Sequence, residues 1–509
     1  MFTHVRAHSA DAVPARYTCL MSYDSTSYHG CRQAFHAWTP PASPSCVRVG
    51  RGFTPARPPS PMAGSLGYAE RLSWRDDLGG QLGDPELAES SDDQTRKTHE
   101  LALLLGASRA TGGTVVHTGA GISTATGIPD FRGPKGIWTL QRAGAAIPKA
   151  SCQFDRARPS LTHMALVELQ RRGFVRYLVS CNVDGLHVRS GYPRGEMAEL
   201  HGNCFAERCE RCEAEYIRDF EMPSVGFKVT GRTCSNPKCR ARGGSRPGRL
   251  RDQVLDWEDA LPPKELRRAE KESRDATFAL VLGSSLQITP SCNLPDKTVR
   301  GGKGALAIVN LQATPKDKKA KLVIHAKTDD VMSGVMRHLN LKIPDYVRTD
   351  RLIVSHLLKN GDSKGGTNFE LRVGSIHGWG CPMPWLAEVE VCFKAVYDDK
   401  DGKTIQDDGF SAVEPCALRG PGPFAWKRTC PALSAGGIER RLVACVRLSF
   451  EECTLESADL EYVVRMGESK AAMAKAEQGS EYSFETIRVA YPLTDEDEAA
   501  DMAKRRRVE

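Results

Sequence analysis

The chain has 509 residues, a net charge of +7, charged residues at 26% and 17 cysteines. The length excludes a single small core and implies about two to four domains plus tails. The charge excludes a strongly acidic or a histone-like chain, and no run approaches the roughly 18 to 20 apolar residues that span a bilayer, so a soluble protein with no membrane partner is expected.

Residues 1 to 61 carry Arg6, Arg16, Arg32, Arg48, Arg51 and Arg57 against only Asp11 and Asp24, and close on the proline-rich run Pro55 to Pro61. They read as a disordered extension, or as an overlong start with Met62 the true initiator; a basic, acid-poor transit peptide is the other reading. In the segment 62 to 113, residues 74 to 97 are polar and acidic, and Leu101 to Leu105 predicts a helix leading into the core.

From Thr114 to about residue 350 the pattern is α/β. Short apolar runs at Thr114 to His117, Val175 to Val179, Phe278 to Leu282, Ala305 to Val309 and Leu322 to Ile324 predict strands buried on both faces. Helical spacing between them, as in Pro159 to Arg172, makes this a Rossmann-type parallel sheet. After the first strand, Gly119 and Gly121 permit a tight turn, and a following helix would aim its free N–H groups at a pyrophosphate. The third glycine, Gly127, comes too late for the GxGxxG of hydride-transfer enzymes, which disfavours a dehydrogenase. Asp130, Phe131 and Arg132, followed by Trp138, give a loop with an acid, a ring and a cation that can cover a cofactor's reactive end.

Cys209 and Cys212, then 21 residues, then Cys234 and Cys239 have the spacing of two knuckles holding one zinc. Paired thiols in a long chain point to metal in a reducing compartment rather than to disulfides. Four thiolates leave no position for water, so the metal of this module, about residues 202 to 253, is structural. Cys204 lies outside the pair spacing. His117, His163 and His187 have no catalytic context and read as structural.

Between 366 and 495, alternating runs such as Phe369 to Val373, Ala387 to Val391, Leu442 to Phe450 and Tyr482 to Val489 predict a small antiparallel β domain. Residues 496 to 509 form a charged tail ending in Lys504-Arg505-Arg506-Arg507, which resembles a nuclear import signal. A second basic stretch, Lys238, Arg240, Arg242, Arg246, Arg249 and Arg251, would attract DNA or nucleosomes through phosphate charge, or is a solvated loop.

Taken together, Gly119-Ala120-Gly121-Ile122-Ser123, Pro129 to Arg132, Asn182-Val183-Asp184, Leu200-His201-Gly202, the four cysteines, Leu282 to Leu286 and Val309 to Gln312 closely resemble the sirtuins. The loop Gly133 to Thr139 and the run Leu255 to Asp259 are similar to the class IV branch of sirtuins six and seven, with plant nuclear sirtuins nearest. The resemblance covers roughly residues 62 to 350. It implies NAD consumed as a co-substrate by a protein-lysine deacylase in the nucleus, with acyl-lysine proteins, core histone tails first among them, as substrates. It further implies that Asn182 and Asp184 act through ribose and water contacts, and that His201 is the general base on a ribose hydroxyl. Gly119, Ala120, Gly121, Thr124, Asp130, Phe131, Arg132, Trp138, Gly283, Ser285, Asn310, Gln312 and Thr328 would line the NAD site, and Trp257 would lie beside the acyl-lysine.

Two positions depart from the family. Cys181 stands where the family has Gln and lacks the amide's paired donor and acceptor, so NAD affinity or rate should suffer. Ala326 stands where the family tends to have Gly, and its methyl would crowd the adenine side if the backbone there needs a positive φ. Mono-ADP-ribosyl transfer with the same NAD, and a catalytically weak chromatin-binding scaffold, are the alternative functions.

Overall fold

Five apolar runs become strands of one sheet because each is buried on both faces and must find backbone partners inside the protein. In a computed structural model, the residues described are 3–4, 68–73, 80–146, 154–241, 247–359, 367–398, 403–406, 413–430, 434–435, 438–439, 441–451, 453–465 and 478–491. The Pro55 to Pro61 run, the segment around Arg242 and Arg246 and the charged tail therefore lie outside the described residues. Two compact units divide between Asp345 and Tyr346.

The first unit is built on six parallel strands: β1 Thr114–Thr118, β2 Val175–Ser180, β3 Met197–Glu199, β4 Phe278–Leu282, β5 Ala305–Val309 and β6 Leu322–Ile324. Their spatial order is β3-β2-β1-β4-β5-β6, the doubly wound order of dinucleotide-binding sheets, with the strand order reversing between β1 and β4. The third strand, Met197–Glu199, carries too short an apolar signal to be read from sequence.

On one face Val116, Leu178, Leu280, Leu282 and Val309 pack against α1 (Ser91–Thr111), α2 (Leu161–Arg171) and α4 (Thr328–His338). On the other, Val115, Tyr177 and Val179 meet Ala269 of α3 (Pro263–Asp275). Neighbours such as Val115 and Val116 thus serve opposite layers, and each fully buried aliphatic side chain contributes about 1.5–3 kcal/mol. α1 starts where Ser90 accepts a bond from the Asp93 amide at 3.2 Å. α2 starts in a capping box of Ser160 and His163.

The chain after the glycine turn departs from the helix that its sequence predicts. No helix follows the glycine turn; two single 3₁₀ turns, Ala120–Ile122 and Thr124–Thr126, take its place. The second ends at Gly127, with φ 87°, and Pro129 soon follows, so the chain leaves helical geometry before a macrodipole can build.

Between β3 and β4 a small antiparallel sheet is inserted, ordered Glu215–Ile217, Gly202–Cys209, Arg249–Val254, Val229–Thr233. Gly202 joins it to the parallel sheet at φ 92°, its Cα so close to the Gln253 carbonyl that a side chain would overlap it.

The second unit is built mainly of antiparallel strands in two large sheets; Thr3–His4 adds a parallel edge strand beside Gln478–Val489, and Ser434–Ala435 pairs with Ile438–Glu439 in a short separate hairpin. One large sheet runs Gln478–Val489, Tyr346–Lys359, Thr367–Ser375, Phe424–Cys430. The other runs Thr404–Gln406, Leu386–Asp398, Arg441–Phe450, Ser457–Val464, with Val413–Arg419 also on Leu386–Asp398. Leu352, Val354, Leu371 and Val373 of the first share one core with Val389, Val391, Val446 and Leu448 of the second. The unit starts at Tyr346, ahead of the region where alternation is evident, because Tyr346–Lys359 is the central partner of two other strands.

Candidate functional site at the strand-order reversal

In an open α/β sheet, ligands bind beyond the carboxyl ends of the strands where the order reverses. Here β1 and β4 leave side by side, and the turn after β1 folds onto the turn after β4. The Gly119 amide bonds the Leu282 carbonyl at 3.1 Å and the Gly121 amide bonds the Gly283 carbonyl at 2.9 Å. A Cβ on Gly119 would lie 2.7 Å from the Gly283 oxygen, and one on Gly121 would lie 2.7 Å from the Gly283 Cα. Gly283, at φ 59°, has the left-handed backbone that this close approach uses. The glycines are therefore explained by backbone contact between two turns, and the surface they leave is bare backbone suited to a phosphate chain.

The loop after β2 closes one side. The Cys181 amide bonds the Thr118 carbonyl at 3.0 Å. Asn182 donates its amide to the Gly119 carbonyl at 3.1 Å, and Asp184 accepts the Ser123 hydroxyl at 2.7 Å and the Leu186 amide at 2.9 Å. Both side chains are buried and brace the glycine turn. The contact between Ser123 and Asp184 spans 61 residues and has no signature in sequence.

His201 follows β3 at the entrance to the small module. Its Nδ1 lies 3.0 Å from the Cys181 carbonyl, which can only accept, so Nδ1 carries the proton and Nε2 keeps its lone pair. Burial holds the imidazole below its ordinary pKa; the Cys181 carbonyl opposes this and the Arg132 cation adds to it. A neutral imidazole with a basic Nε2 can take a proton from a hydroxyl at neutral pH. Burial pushes the Cys181 thiol up, so it stays protonated, and it is the Cys181 backbone that orients His201.

The loop from Asp130 to Trp138 covers this floor. The Phe131 and Trp138 rings are 4.6 Å apart, Trp138 and Trp257 4.8 Å, and the Arg132 guanidinium sits 4.5 Å over Trp138. Asp130 caps the turn by accepting the Gly133 amide at 3.1 Å, and burial raises its carboxyl pKa. Trp257 donates its indole to the Ser73 carbonyl at 3.0 Å.

On the β5 side Asn310 donates to the Gln312 carbonyl at 2.8 Å and Gln312 to the Asp84 carbonyl at 2.6 Å. Thr328 opens α4 after β6 and is buried, while Ser285 is half-buried after Gly283. Ala120 and Thr124 lie in the two 3₁₀ turns. Gly119 to Thr124, Asn182, Asp184, His201, Gly283, Ser285, Asn310, Gln312 and Thr328 thus follow the carboxyl ends of the parallel strands, with Thr328 farthest out, beyond the edge strand. Ala326 lacks a positive φ and its methyl lies in the main core, so the expected crowding does not occur.

The four cysteines converge. All their sulfurs lie within 4.8 Å of one another, with Cys209 to Cys239 at 3.7 Å and Cys212 to Cys234 at 3.6 Å. Four thiolates arranged tetrahedrally at the zinc–sulfur bond length of about 2.3 Å would stand about 3.8 Å apart. The donor set fits zinc. Tyr216, which sequence gave no reason to notice, bonds the Cys234 sulfur at 3.1 Å and accepts the Ser235 and Asn236 amides at 3.0 and 3.1 Å. It holds the second knuckle from outside the ligand set.

Of the basic stretch, Arg249 and Arg251 both pair with Glu210, at 2.8 and 3.0 Å, which draws the Glu210 carboxyl down to about 2. Their charge is partly met within the protein. The His163 and His187 rings lie 4.7 Å apart, tilted at 52°, in the interior, where burial drives both imidazoles low, and His187 bonds Thr118 at 2.9 Å.

Sheet order, glycine crossing and thiolate module define a Rossmann-type nucleotide-binding protein with a structural metal module. The Sir2 family model matches residues 145–290. The chain is 51% identical to the NAD-dependent protein deacetylase SRT1 of Oryza sativa subsp. indica over 70% of this chain and 71% of that one. It is 53% identical to the protein of the same name from Arabidopsis thaliana, over 66% and 69%. Against the NAD-dependent protein deacetylase Sirt6 of Drosophila melanogaster the figures are 43% identity over 55% and 87%. The chain belongs to the Sir2 family, with relatives in its plant SRT1, Sirt6 and sirtuin-7 members.

Proposed function

We propose that the protein is an NAD-dependent protein-lysine deacylase that releases nicotinamide and passes the acyl group to ADP-ribose. The observation that carries this is the tautomer fixed at His201, a neutral base with Nε2 free beside the loop bearing Asn182 and Asp184. NAD supplies the electrophilic anomeric carbon and the ribose hydroxyls. The turns at Gly119 to Gly121 and Gly283 to Ser285 receive its phosphates, and Asn310, Gln312 and Thr328 its adenosine end. Phe131, Arg132 and Trp138 cover the nicotinamide side and exclude water, which keeps a weak amide nucleophile competitive. Asn182 and Asp184 orient the ribose, and His201 removes the hydroxyl proton. Trp257, packed against Trp138, flanks the acyl-lysine. Cys209, Cys212, Cys234 and Cys239 would hold a zinc ion that ties together the module following His201.

The substrates are acyl-lysine proteins, core histone tails first, in the nucleus; the family branch, the tail at Lys504 to Arg507 and the basic stretch at the zinc module support this assignment. Cys181, in place of the family's Gln, is the one feature favouring a weak enzyme that works as a chromatin scaffold.

The test is the full chain with NAD and acetylated or myristoylated histone peptides, following O-acyl-ADP-ribose and nicotinamide by mass spectrometry. Acyl-ADP-ribose that disappears in His201→Tyr is expected. Peptide gaining the mass of ADP-ribose without losing its acyl group would instead make the protein a mono-ADP-ribosyltransferase. No product from the wild-type chain, with product from Cys181→Gln, would favour the scaffold.

A further inference from the structure

His201 sits between two side chains that contact each other. Glu199 and Asn203 lie two residues before and two after it, and the Asn203 amide donates to both Glu199 oxygens, at 2.9 and 3.0 Å. The contact closes a short ring around the His201 backbone. Asn203 is used at both ends, since its carbonyl oxygen accepts the Phe205 amide at 2.8 Å. That same oxygen would lie 3.1 Å from a Cβ on Gly185, the residue after Asp184. Asn203 thus lies beside Gly185, and the next residue ties the two loops directly, the Cys204 amide donating to the Val183 carbonyl at 2.8 Å.

Glu199 in turn is tied to a half-buried ionic cluster. Its amide donates to Glu265 at 2.7 Å, and Arg194 lies 3.9 Å from its carboxyl. Arg194 is already committed to Glu265 at 2.6 Å and Glu215 at 3.0 Å, and Arg208 adds a second cation to Glu215 at 2.8 Å. Glu215 begins the strand just after the first zinc knuckle. Glu199 and Asn203 are almost fully buried, at 4% and 1% exposure. A buried carboxyl and amide that bond each other fix backbone geometry more tightly than apolar side chains would, because breaking the contact strands two polar groups.

Resting on the deacylase reading, we infer that Glu199 and Asn203 are positioning residues for the general base. Their contact holds the His201 loop against the Asp184 loop and keeps water from the imidazole. The cluster of Arg194, Glu215 and Glu265 makes that position answer to the metal module. Burial pushes the Glu199 carboxyl up to about 8, while Arg194 and the Asn203 amide oppose it by favouring the charged form.

The experiment compares the full-length wild type with Asn203→Ala, Glu199→Ala and Glu199→Gln. The His201 imidazole is titrated by NMR of the ring carbon in ¹³C-histidine protein, assigned with His201→Gln, and steady-state kinetics are run alongside. The expected result is a wild-type His201 titrating below its ordinary value. In both alanine variants it should move up toward that value as water enters, with kcat falling about 10- to 30-fold and KM for NAD within about twofold. Glu199→Gln, which keeps one acceptor oxygen for the Asn203 amide, should recover part of both. An unmoved His201 titration in the alanine variants overturns the inference, as does a loss residing wholly in KM. The NMR readout needs no turnover, so a wild type that fails to make acyl-ADP-ribose would count against the deacylase reading and leave this test intact.

Discussion

Replacing Gly283 by Ala isolates the contact that makes the nucleotide floor. Gly283 holds φ 59°, where an L side chain costs about 1–2 kcal/mol. The new Cβ would lie 2.6 Å from the Ile122 nitrogen and 2.7 Å from the Gly121 carbonyl carbon, both backbone atoms that cannot rotate away. Ordinary contact is about 3.5 Å, so the two turns must part by nearly 1 Å, an overpacking cost of about 1–3 kcal/mol. That movement also stretches the 2.9 Å bond from the Gly121 amide to the Gly283 carbonyl, worth about 0.5–1.5 kcal/mol. The sum is about 2.5–6.5 kcal/mol, shared between stability and NAD affinity. Gly301→Ala is the control, because Gly301 has φ 74° and no atom within 4 Å of its Cβ, leaving only the backbone cost. Urea unfolding followed by circular dichroism, and NAD binding by calorimetry, measure the two shares. The reasoning is refuted if Gly283→Ala is no less stable than Gly301→Ala and binds NAD as the wild type does.

Three further outcomes are expected. Burial lowers His117 and His163 to about 3 in the folded chain, whereas unfolded they titrate near 6.5, so the unfolded state binds protons first and stability falls as pH drops from 6.5 towards 3. Each should remove roughly 2 kcal/mol by pH 5; urea midpoints at pH 7.5 and 5.0 check this, and equal midpoints contradict it. Chelating the metal, or Cys209→Ser, should unfold the small antiparallel sheet while much of the parallel sheet survives. Elemental analysis reading one zinc per chain beforehand, with hydrogen exchange rising first at residues 202 to 254, is the measurement. Ser123→Ala removes the 2.7 Å bond to the buried Asp184 carboxylate, worth about 1.5–3 kcal/mol. It should lower kcat/KM for NAD by about 10- to 150-fold, and an unchanged value would mean that Asp184 is oriented without it.

Sequence by itself determined what short-range chemistry controls. The apolar runs at Thr114, Val175, Phe278, Ala305 and Leu322 became strands because nothing but a sheet interior suits them. The cysteine spacing produced a four-sulfur cluster because two knuckles bring each pair together locally and one sheet joins them. Tertiary structure decided the rest. Strand order β3-β2-β1-β4-β5-β6 depends on contacts across many tens of residues, and so does the reversal that puts Gly121 on Gly283. The expected helix after the glycine turn gave way to 3₁₀ turns, because contact with the Gly283 turn sets the path of that backbone. Tyr346–Lys359 joined the second unit by pairing with strands on either side, which its own pattern did not announce. Ser123, Tyr216, Glu199 and Asn203 look like ordinary polar residues along the chain. They acquire roles through burial, since a polar group removed from water must be given a partner, and only the folded chain says which.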